Sequence, residues 1–276
     1  MSRVSEAYPT AFVTGASTGL GRAFADMLLA EGVRVWGTAR DPSRLAPLKA
    51  SPAFRAVSLD LANAAAAEGA FELAAKEAGG GFDLVVQNAG YGAFGEFADT
   101  DFTLWQSQLE AMLLNTARLS QAALRGMRAR DRGCLVHVAS LAVEFPLPFM
   151  SGYNMAKAGL SALSESLIFE TRRTGVTVID FRPGDYRTGF NQAMQTTTAN
   201  PAGAPRLARA WQALEANLAA SPLPIRAAAD LRQALLRRKS GVVRSGSFFQ
   251  ARLAPFLARF APASVVRAAT ARYFGL

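Results

Sequence analysis

Short apolar segments with the length of β-strands alternate with helix-like segments through the first two-thirds of the chain. Strands are predicted at residues 10–14, 33–38, 54–59, 82–87, 134–139 and 176–181. Helices are predicted between them, at residues 22–31, 42–49, 64–78, 101–130 and 152–173. Buried strands that are separated by helices favour a parallel sheet with helices on both faces. The chain is therefore predicted to have an α/β fold.

A glycine or a polar residue stands at the end of each predicted strand or just after it. These residues are Gly15, Arg40, Asp60, Asn88, Ser140 and Gly184. Parallel strands all end at the same edge of their sheet, and such sheets bind ligands beyond that edge. The six residues are therefore expected to meet at one ligand-binding site.

The turn after the first strand has the sequence TGASTGLG and contains Gly15, Gly19 and Gly21. Glycines let the backbone approach a pyrophosphate closely, and the N-terminus of the helix that follows favours negative charge. Three glycines alone would be weak support, but the strand–turn–helix context indicates dinucleotide binding.

Tyr153 and Lys157 are spaced by four residues, and Ser140 lies thirteen residues before the tyrosine. Residues at i and i+4 share one face of a helix. A nearby ammonium favours the phenolate, so Lys157 is expected to lower the pKa of Tyr153 from its ordinary value near ~10. This pattern predicts a tyrosine that exchanges protons with a substrate near neutral pH. Each residue also has a structural alternative, as a helix-surface pair or a strand-end cap.

Several motifs together resemble the short-chain dehydrogenase/reductase family, in its shorter single-domain branch. TGASTGLG resembles the family's TGxxxGxG turn, residues 88–90 its NAG motif, and residues 183–188 its PGxxxT segment. Asn115, Ser140, Tyr153 and Lys157 match its catalytic set. Gln87 and His137 depart from positions where the family often has asparagine.

The resemblance implies one Rossmann-type domain over residues 1–276, with a doubly wound parallel sheet of about seven strands. It also implies that Tyr153 is the general acid/base, that Lys157 favours the ionised tyrosine, that Ser140 holds the substrate oxygen, and that Asn115 helps to hold a water molecule. The residues expected to bind the cofactor, together with Tyr153 and Lys157, are Gly15, Ser17, Thr18, Gly19, Leu20, Gly21, Arg40, Asp60, Leu61, Asn88, Ala89, Gly90, Pro183, Gly184, Tyr186 and Thr188.

Arg40 follows the second strand and suggests which cofactor is used. An acidic residue near this point contacts the ribose 2′-hydroxyl of NAD, whereas an arginine accommodates the 2′-phosphate of NADP. Ala39 stands where the family's NAD-dependent members have the acid, so NADP(H) is favoured over NAD(H). Asp41 is expected to cap the following helix instead. Asp60 and Leu61 resemble the family's adenine-contacting pair, and Asp60 has a helix cap as its alternative role.

Apolar residues near the catalytic set predict a lipophilic or aromatic ketone, aldehyde or alcohol as substrate. The expected pocket residues are Ser140, Phe145, Phe149, Tyr153, Phe190 and Met194. Core packing is the alternative for about half of the apolar residues considered. A looser similarity to hydroxysteroid and retinol dehydrogenases covers only the overall layout.

Beyond residue 188 the pattern is less regular. A substrate lid is expected at about 189–224, with a mobile loop at 196–206 and helices at 207–219 and 225–238. A short strand is predicted at 242–244. The C-terminal extension at about 247–276 is largely apolar, with arginines at intervals along it. It is expected to pack over the pocket or against another subunit, with an amphipathic helix on an anionic membrane as the less favoured alternative.

The composition disfavours several other functions. The net charge is +9, but the arginines form no tight run and no nucleic-acid motif, so no nucleic-acid partner is predicted. One histidine, His137, and one cysteine, Cys134, make a metal site improbable, and His137 points away from Ser140 on the same strand, which excludes a hydrolase triad.

The absence of a disulfide and of a signal peptide favours a cytoplasmic protein. Family resemblance implies a homodimer or homotetramer. A sensor that binds NADP(H) without turnover is the alternative function.

Overall fold

Seven parallel strands form the main sheet of this computed structural model, which describes residues 3–191, 194–196 and 204–276. The strands are β1 Thr10–Val13, β2 Arg34–Ala39, β3 Phe54–Ser58, β4 Leu84–Gln87, β6 Gly133–Val138, β7 Val176–Pro183 and β9 Gly241–Ser245. Their order is β3-β2-β1-β4-β6-β7-β9, and each neighbouring pair is parallel. From β1 the chain first adds β2 and β3 on one side of the sheet and then adds the later strands on the other side. This change of side confirms a doubly wound Rossmann-type sheet.

Helices cover the sheet on both faces. They are α1 Val4–Ala7, α2 Gly19–Ala30, α3 Ala64–Glu77, α4 Phe102–Leu109, α5 Asn115–Ala129, α6 Ser151–Glu170, α7 Pro205–Ala220, α8 Pro224–Arg237, α9 Ala254–Ala258 and α10 Ala263–Tyr273. Helices α2 and α8 share one apolar core with alternate strand residues, whereas α3, α5 and α6 share the other. Within β1, for example, Val13 belongs to the first core and Phe12 to the second. Successive residues of a strand point to opposite faces, which explains this division.

Local capping fixes several of these helices where the sequence indicates. Asn63 accepts a hydrogen bond from the amide of Ala66 at the start of α3. Asp41 accepts one from the amide of Ser43, but the helix predicted at 42–49 is limited to a 3₁₀ turn at Pro42–Leu45. Satisfying these exposed amides stabilises a helix by about 1 kcal/mol each.

The helix predicted at 101–130 is interrupted. A π turn at Glu110–Leu114 separates α4 from α5, and Asn115 is the first residue of α5. Single π turns inside α-helices often occur at functional sites. Here the π turn ends directly before Asn115.

The segment beyond β7 closes one end of the structure. A two-stranded pair, β5 Ala93–Phe94 with β8 Gln195–Thr196, joins it to the loop after β4. Helix α7 packs beside Phe94, Met150 and the buried Phe274 from the chain's last residues. Residues 197–203, most of the loop expected at 196–206, lie outside the described residues.

The C-terminal extension consists of a π turn at Phe249–Leu253 followed by α9 and α10. It crosses the ends of β7 and β9 and returns to α7. Among the described residues, no helix has the length and hydropathy needed to cross a membrane.

Candidate active site

One large cavity, of about 1580 Å³, lies beyond the carboxyl ends of the strands. Its walls include all six of the glycine and polar residues that follow the strands, namely Gly15, Arg40, Asp60, Asn88, Ser140 and Gly184. The alternation of strands and helices therefore brings together residues that are up to 169 positions apart in sequence.

The glycine-rich turn after β1 forms one end of this cavity. Gly15 and Gly19 have φ angles of +67° and +56°, which side chains rarely tolerate. Helix α2 begins at Gly19, and among the described residues Thr18 receives no capping hydrogen bond at its side chain. The first amides of α2 are therefore available to an anion, which the helix dipole also favours.

Gly21 does not line the cavity, although its lack of a side chain shapes the turn. A Cβ atom there would lie 2.2 Å from the carbonyl oxygen of Gly15 and 2.4 Å from Nδ2 of Asn88. The glycine therefore allows the turn to pack directly on the segment after β4.

Thr14 and Asn88 join these two segments. The Thr14 hydroxyl accepts hydrogen bonds from the amides of Asn88 and Ala89, at 2.8 and 2.9 Å. The Asn88 side chain donates back to the carbonyl of Thr14 at 2.9 Å. These bonds hold the NAG segment at the end of β1, so that Ala89 and Gly90 form the cavity wall.

Lys157 lines the cavity and is held in place by its own hydrogen bond. Its Nζ atom donates to the carbonyl of Val138 at 2.6 Å, and only 4% of the residue is exposed. Burial lowers the pKa of Lys157 to about 8, although the carboxylate of Asp180 acts in the opposite direction. Gly90 lies beside this ammonium, since a Cβ atom there would be in van der Waals contact with Nζ at 3.7 Å.

Tyr153 lines the cavity one helical turn before Lys157. The ammonium lies 5.7 Å from the centre of the tyrosine ring. Burial raises the pKa of Tyr153 to about 12, while the Ser140 hydroxyl lowers it and the charge of Asp185 raises it. The expectation that Lys157 lowers this pKa is wrong for the protein alone. Burial penalises the phenolate more than its surroundings stabilise it.

Ser140 follows β6 and is almost completely buried. Its hydroxyl accepts a hydrogen bond from the amide of Ala142 at 3.0 Å, which starts a 3₁₀ turn at Leu141–Val143. The serine therefore caps this turn and also reaches the cavity beside Tyr153. The cap proposed for a strand-end serine is therefore present, and the substrate-binding role of Ser140 stays a prediction.

Asn115 is not a lining residue of the cavity. Its Nδ2 atom donates to the carbonyl of Leu61 at 2.7 Å, which ties the start of α5 to the segment after β3. Leu61 itself lines the cavity. The asparagine thus supports the wall that is expected to contact adenine.

His137 lies in a buried polar layer beneath Lys157. Its ring nitrogens pair with the hydroxyls of Ser120 and Ser164, each at 2.8 Å, and burial lowers its pKa to about 3. The ring is therefore neutral and fully engaged by structural partners. Within the described part of the chain, no group of three metal-ligating side chains comes together.

An ionic cluster fixes the loop after Ser140. Arg182 donates to Asp180 at 2.9 Å through Nε and to Glu144 at 2.8 Å through Nη1. Arg244 from β9 donates to the same Glu144 carboxylate at 2.8 Å. Buried or half-buried charges need such pairing, so the cluster holds the loop against β7.

The cavity end farthest from Tyr153 contains two exposed arginines. Arg40 and Arg44 both line it, together with Asp41 and Asp60. Both carboxylates are engaged locally, because Asp41 accepts from the amide of Ser43 and Asp60 accepts from that of Ala62. Sequence reasoning missed Arg44, which only the 3₁₀ turn brings to the cavity.

The end near Tyr153 is apolar. Phe145, Phe190 and Leu147 line it, and the rings of Tyr153 and Phe190 meet edge to face at 5.7 Å. Phe149 and Met194, also expected in the pocket, do not line the cavity. They pack instead into the apolar cluster beneath α7, because the Phe149 ring contacts Phe94 at 5.7 Å.

The C-terminal extension supplies a further wall that sequence reasoning did not assign by residue. Gln250 and Tyr273 donate hydrogen bonds to one oxygen of Asp185, at 2.7 and 2.6 Å. Leu257, Val266 and other apolar residues of the extension line the cavity. The extension therefore covers the apolar end, and Asp185 holds it in place.

Comparison with known proteins agrees with this geometry. The family model for short chain dehydrogenase matches residues 9–199. The 3-oxoacyl-[acyl-carrier-protein] reductase FabG of Vibrio cholerae is 31% identical over 67% of this chain and 76% of its own. The 3-ketodihydrosphingosine reductase of Bacteroides thetaiotaomicron is 29% identical over 64% of each chain.

A solved structure shows the same arrangement over nearly the whole chain. A short-chain dehydrogenase from Streptomyces avermitilis superposes with a TM-score of 0.80 at 30% identity, and covers 93% of this chain and 96% of its own. The protein studied here therefore belongs to the short-chain dehydrogenase family of oxidoreductases.

Proposed function

We propose that this protein is an NADP(H)-dependent oxidoreductase that interconverts an apolar ketone or aldehyde and its alcohol. The observation that supports this most strongly is that Ser140, Tyr153 and the buried Lys157 all line one cavity. Carbonyl reduction needs a hydrogen-bond donor, a group that exchanges a proton and a nearby cation beside an apolar pocket. Ser140, Tyr153 and Lys157 would supply these three groups.

The residues around the glycine-rich turn suit a dinucleotide. The free amides at the start of α2 would hold the pyrophosphate, with Gly15 and Gly19 leaving room for it. Asn88, Gly90, Gly184 and Thr188 line the cavity between this turn and Tyr153. The nicotinamide cofactor, when bound, supplies or accepts the hydride.

The protein's own groups would manage the proton. The Tyr153 hydroxyl would donate to the carbonyl oxygen during reduction and accept from the alcohol during oxidation. Ser140 would donate to the same oxygen and so stabilise its developing charge. Lys157, with a pKa of about 8, would return the proton to Tyr153 near neutral pH. Asn115 would hold the adjoining segment and a water molecule that connects the lysine to solvent.

The substrate class is argued from the apolar end of the cavity. Its walls come from the loop after Ser140, from Phe190 and from the C-terminal extension. The names of two relatives refer to an oxo group on an acyl chain and a keto group on dihydrosphingosine. An oxo group on a long hydrocarbon chain would place its chain in this apolar end and its oxygen at Tyr153.

The reaction is tested by replacing Tyr153 with phenylalanine. We expect Tyr153→Phe to lower turnover of a long-chain 3-oxo substrate by about 10²–10⁴-fold, because it removes the exchangeable proton. NADPH affinity should change little. Tyr91→Phe is the matched control, since Tyr91 lines the same cavity. Comparable turnover in Tyr153→Phe and the wild-type enzyme would refute the role of Tyr153.

The cofactor preference is tested by replacing the two cavity arginines. A charge-assisted hydrogen bond to a 2′-phosphate contributes about 1.5–3 kcal/mol, so Arg40→Ala should weaken NADPH binding by about 10–100-fold. Arg44→Ala should act in the same direction. NADH lacks the phosphate and should be affected little. Equal losses for both cofactors, measured by fluorescence titration, would exclude a 2′-phosphate site here.

Tight NADPH binding without turnover of any carbonyl tested would favour the alternative function, a sensor of the cofactor's redox state.

A further inference from the structure

The positive charge of the protein is concentrated in its last 46 residues. Nine of the 30 lysines and arginines lie at residues 231–276, whereas all 21 aspartates and glutamates lie before residue 231. The first 230 residues are therefore neutral overall, and the net charge of +9 belongs to the C-terminal part. The net charge would attract a large anionic surface mainly to that part.

The same part exposes large apolar side chains. Phe248, Phe256 and Phe260 are 70%, 62% and 72% exposed. We define the tail face as these three residues with Phe249, Leu253, Leu257 and Val265, all of which are exposed. Contiguous apolar surface of this kind marks an interaction site in soluble proteins.

Four exposed arginines border the tail face. They are Arg252, Arg259, Arg267 and Arg272. Within the described ranges 3–191, 194–196 and 204–276, none of them forms an ion pair with a carboxylate. Their charges are therefore available to an outside partner.

The spacing is that of a helix lying in a lipid interface. Phe249, Leu253, Phe256 and Phe260 recur at intervals of three or four residues along the π turn, α9 and the turn that follows it. Arginines beside an apolar stripe of phenylalanine and leucine are typical of helices that lie flat on anionic membranes.

The tail face also continues into the mouth of the large cavity. Phe249 and Leu257 are 56% and 52% exposed, yet both line the cavity. Val265 does the same from α10. The tail face and the cavity therefore share these three apolar residues.

We propose that the tail face binds the surface of an anionic phospholipid bilayer. Phe256 and Phe260 would enter the headgroup region, while the arginines would contact lipid phosphates and carboxylates. The cavity mouth would then open toward the lipid. A second copy of the chain is a poorer occupant, because a symmetric contact would place each cluster of arginines against its own copy.

Sedimentation with lipid vesicles tests this proposal on the full-length protein. We expect binding to vesicles of phosphatidylcholine mixed with phosphatidylserine, and little binding to phosphatidylcholine alone. Since each arginine near an anionic surface contributes about fivefold in affinity, the double variant Arg252→Gln/Arg259→Gln should bind about 25-fold more weakly. Arg128→Gln/Arg172→Gln, at exposed positions in α5 and in the turn after α6, should bind as the wild type does.

A second pair of variants tests the apolar part. Phe260→Ser should weaken vesicle binding by about tenfold, whereas Phe169→Ser should not. Phe169 is equally exposed, at 73%, and lies near the far end of the helix that begins beside the cavity. All six side chains changed in these variants are exposed, so unchanged thermal unfolding midpoints would confirm intact folding.

Three results would overturn the proposal. The first is no binding to anionic vesicles, and the second is vesicle binding that the tail-face variants leave unchanged. The third is that the tail-face variants change the oligomeric state, measured by light scattering, but not the vesicle binding. The last result would identify the tail face as a contact between copies of the chain. Vesicle binding requires neither cofactor nor turnover, so its failure would leave the proposed reaction untouched.

Discussion

Replacing Lys157 with methionine should stabilise the folded protein while it removes turnover. The lysine is 4% exposed, and burial lowers its pKa from 10.5 to about 8. Methionine has a similar shape and no charge, so it suits this apolar position better. A buried lysine that lowers the free energy of unfolding is expected to be kept only where the function requires it.

The magnitude follows from the lowered pKa of Lys157. A fall from 10.5 to about 8 corresponds to about 3 kcal/mol of unfavourable free energy for burying the charged form. Loss of the hydrogen bond to the Val138 carbonyl offsets about 1–2 kcal/mol of the gain. The methionine variant should therefore be more stable than the wild type by about 1–2 kcal/mol near pH 7.

The sign of the pH dependence is fixed by the direction of the shift. The folded protein releases the lysine proton near pH 8, before the unfolded chain does near 10.5. The destabilisation is therefore complete below pH 8 and disappears as the pH rises toward 10.5. Relative to Lys157→Met, the wild type should gain about 1.4 kcal/mol for each pH unit in that window.

Urea unfolding of both proteins at a series of pH values between about 7 and 10 measures this difference. Lys239→Met is the matched control, because Lys239 is exposed and should show no such trend. A stability difference between wild type and Lys157→Met that stays constant across the window would refute the reasoning. It would mean that the folded state does not perturb the lysine.

Two further substitutions test the turn and the C-terminal wall. Gly21→Ala should cost about 1–3 kcal/mol of stability and weaken NADPH binding, because its Cβ would lie 2.2 Å from the carbonyl oxygen of Gly15. Gly69→Ala, in an exposed helix position with no atom within 4 Å, should instead stabilise by about 0.5–1 kcal/mol, and equal effects by urea unfolding would contradict the packing argument. Tyr273→Phe removes the hydrogen bond to Asp185, so amides of α10 should exchange hydrogen about fivefold faster by mass spectrometry, while those of β1 should not change. Unchanged exchange in α10 would show that this bond does not hold the extension.

Local spacing was sufficient to predict the elements and their shared edge. The strands and helices around the sheet follow from apolar periodicity, and the cap at Asp41 follows from its own sequence. The i, i+4 spacing places Tyr153 and Lys157 on one helix face. These features depend on neighbours within about one or two helical turns, which the sequence displays directly.

Properties that depend on distant contacts required the tertiary structure. Burial raises the pKa of Tyr153, and the atoms that bury it come from segments far along the chain. Arg44 reaches the cavity only through a 3₁₀ turn, and Phe149 turns away from the cavity to pack on Phe94.

The closure of the cavity shows the same division most clearly. The sequence by itself determined an α/β sheet, a glycine-rich turn and a tyrosine–lysine pair, because each depends on spacing along the chain. It left open whether the C-terminal segment packs over the pocket or against another subunit, and it did not reveal that Tyr273 bonds to Asp185, 88 residues away. Only the tertiary structure decided this, since the free energy of such a contact depends on how separate segments pack together.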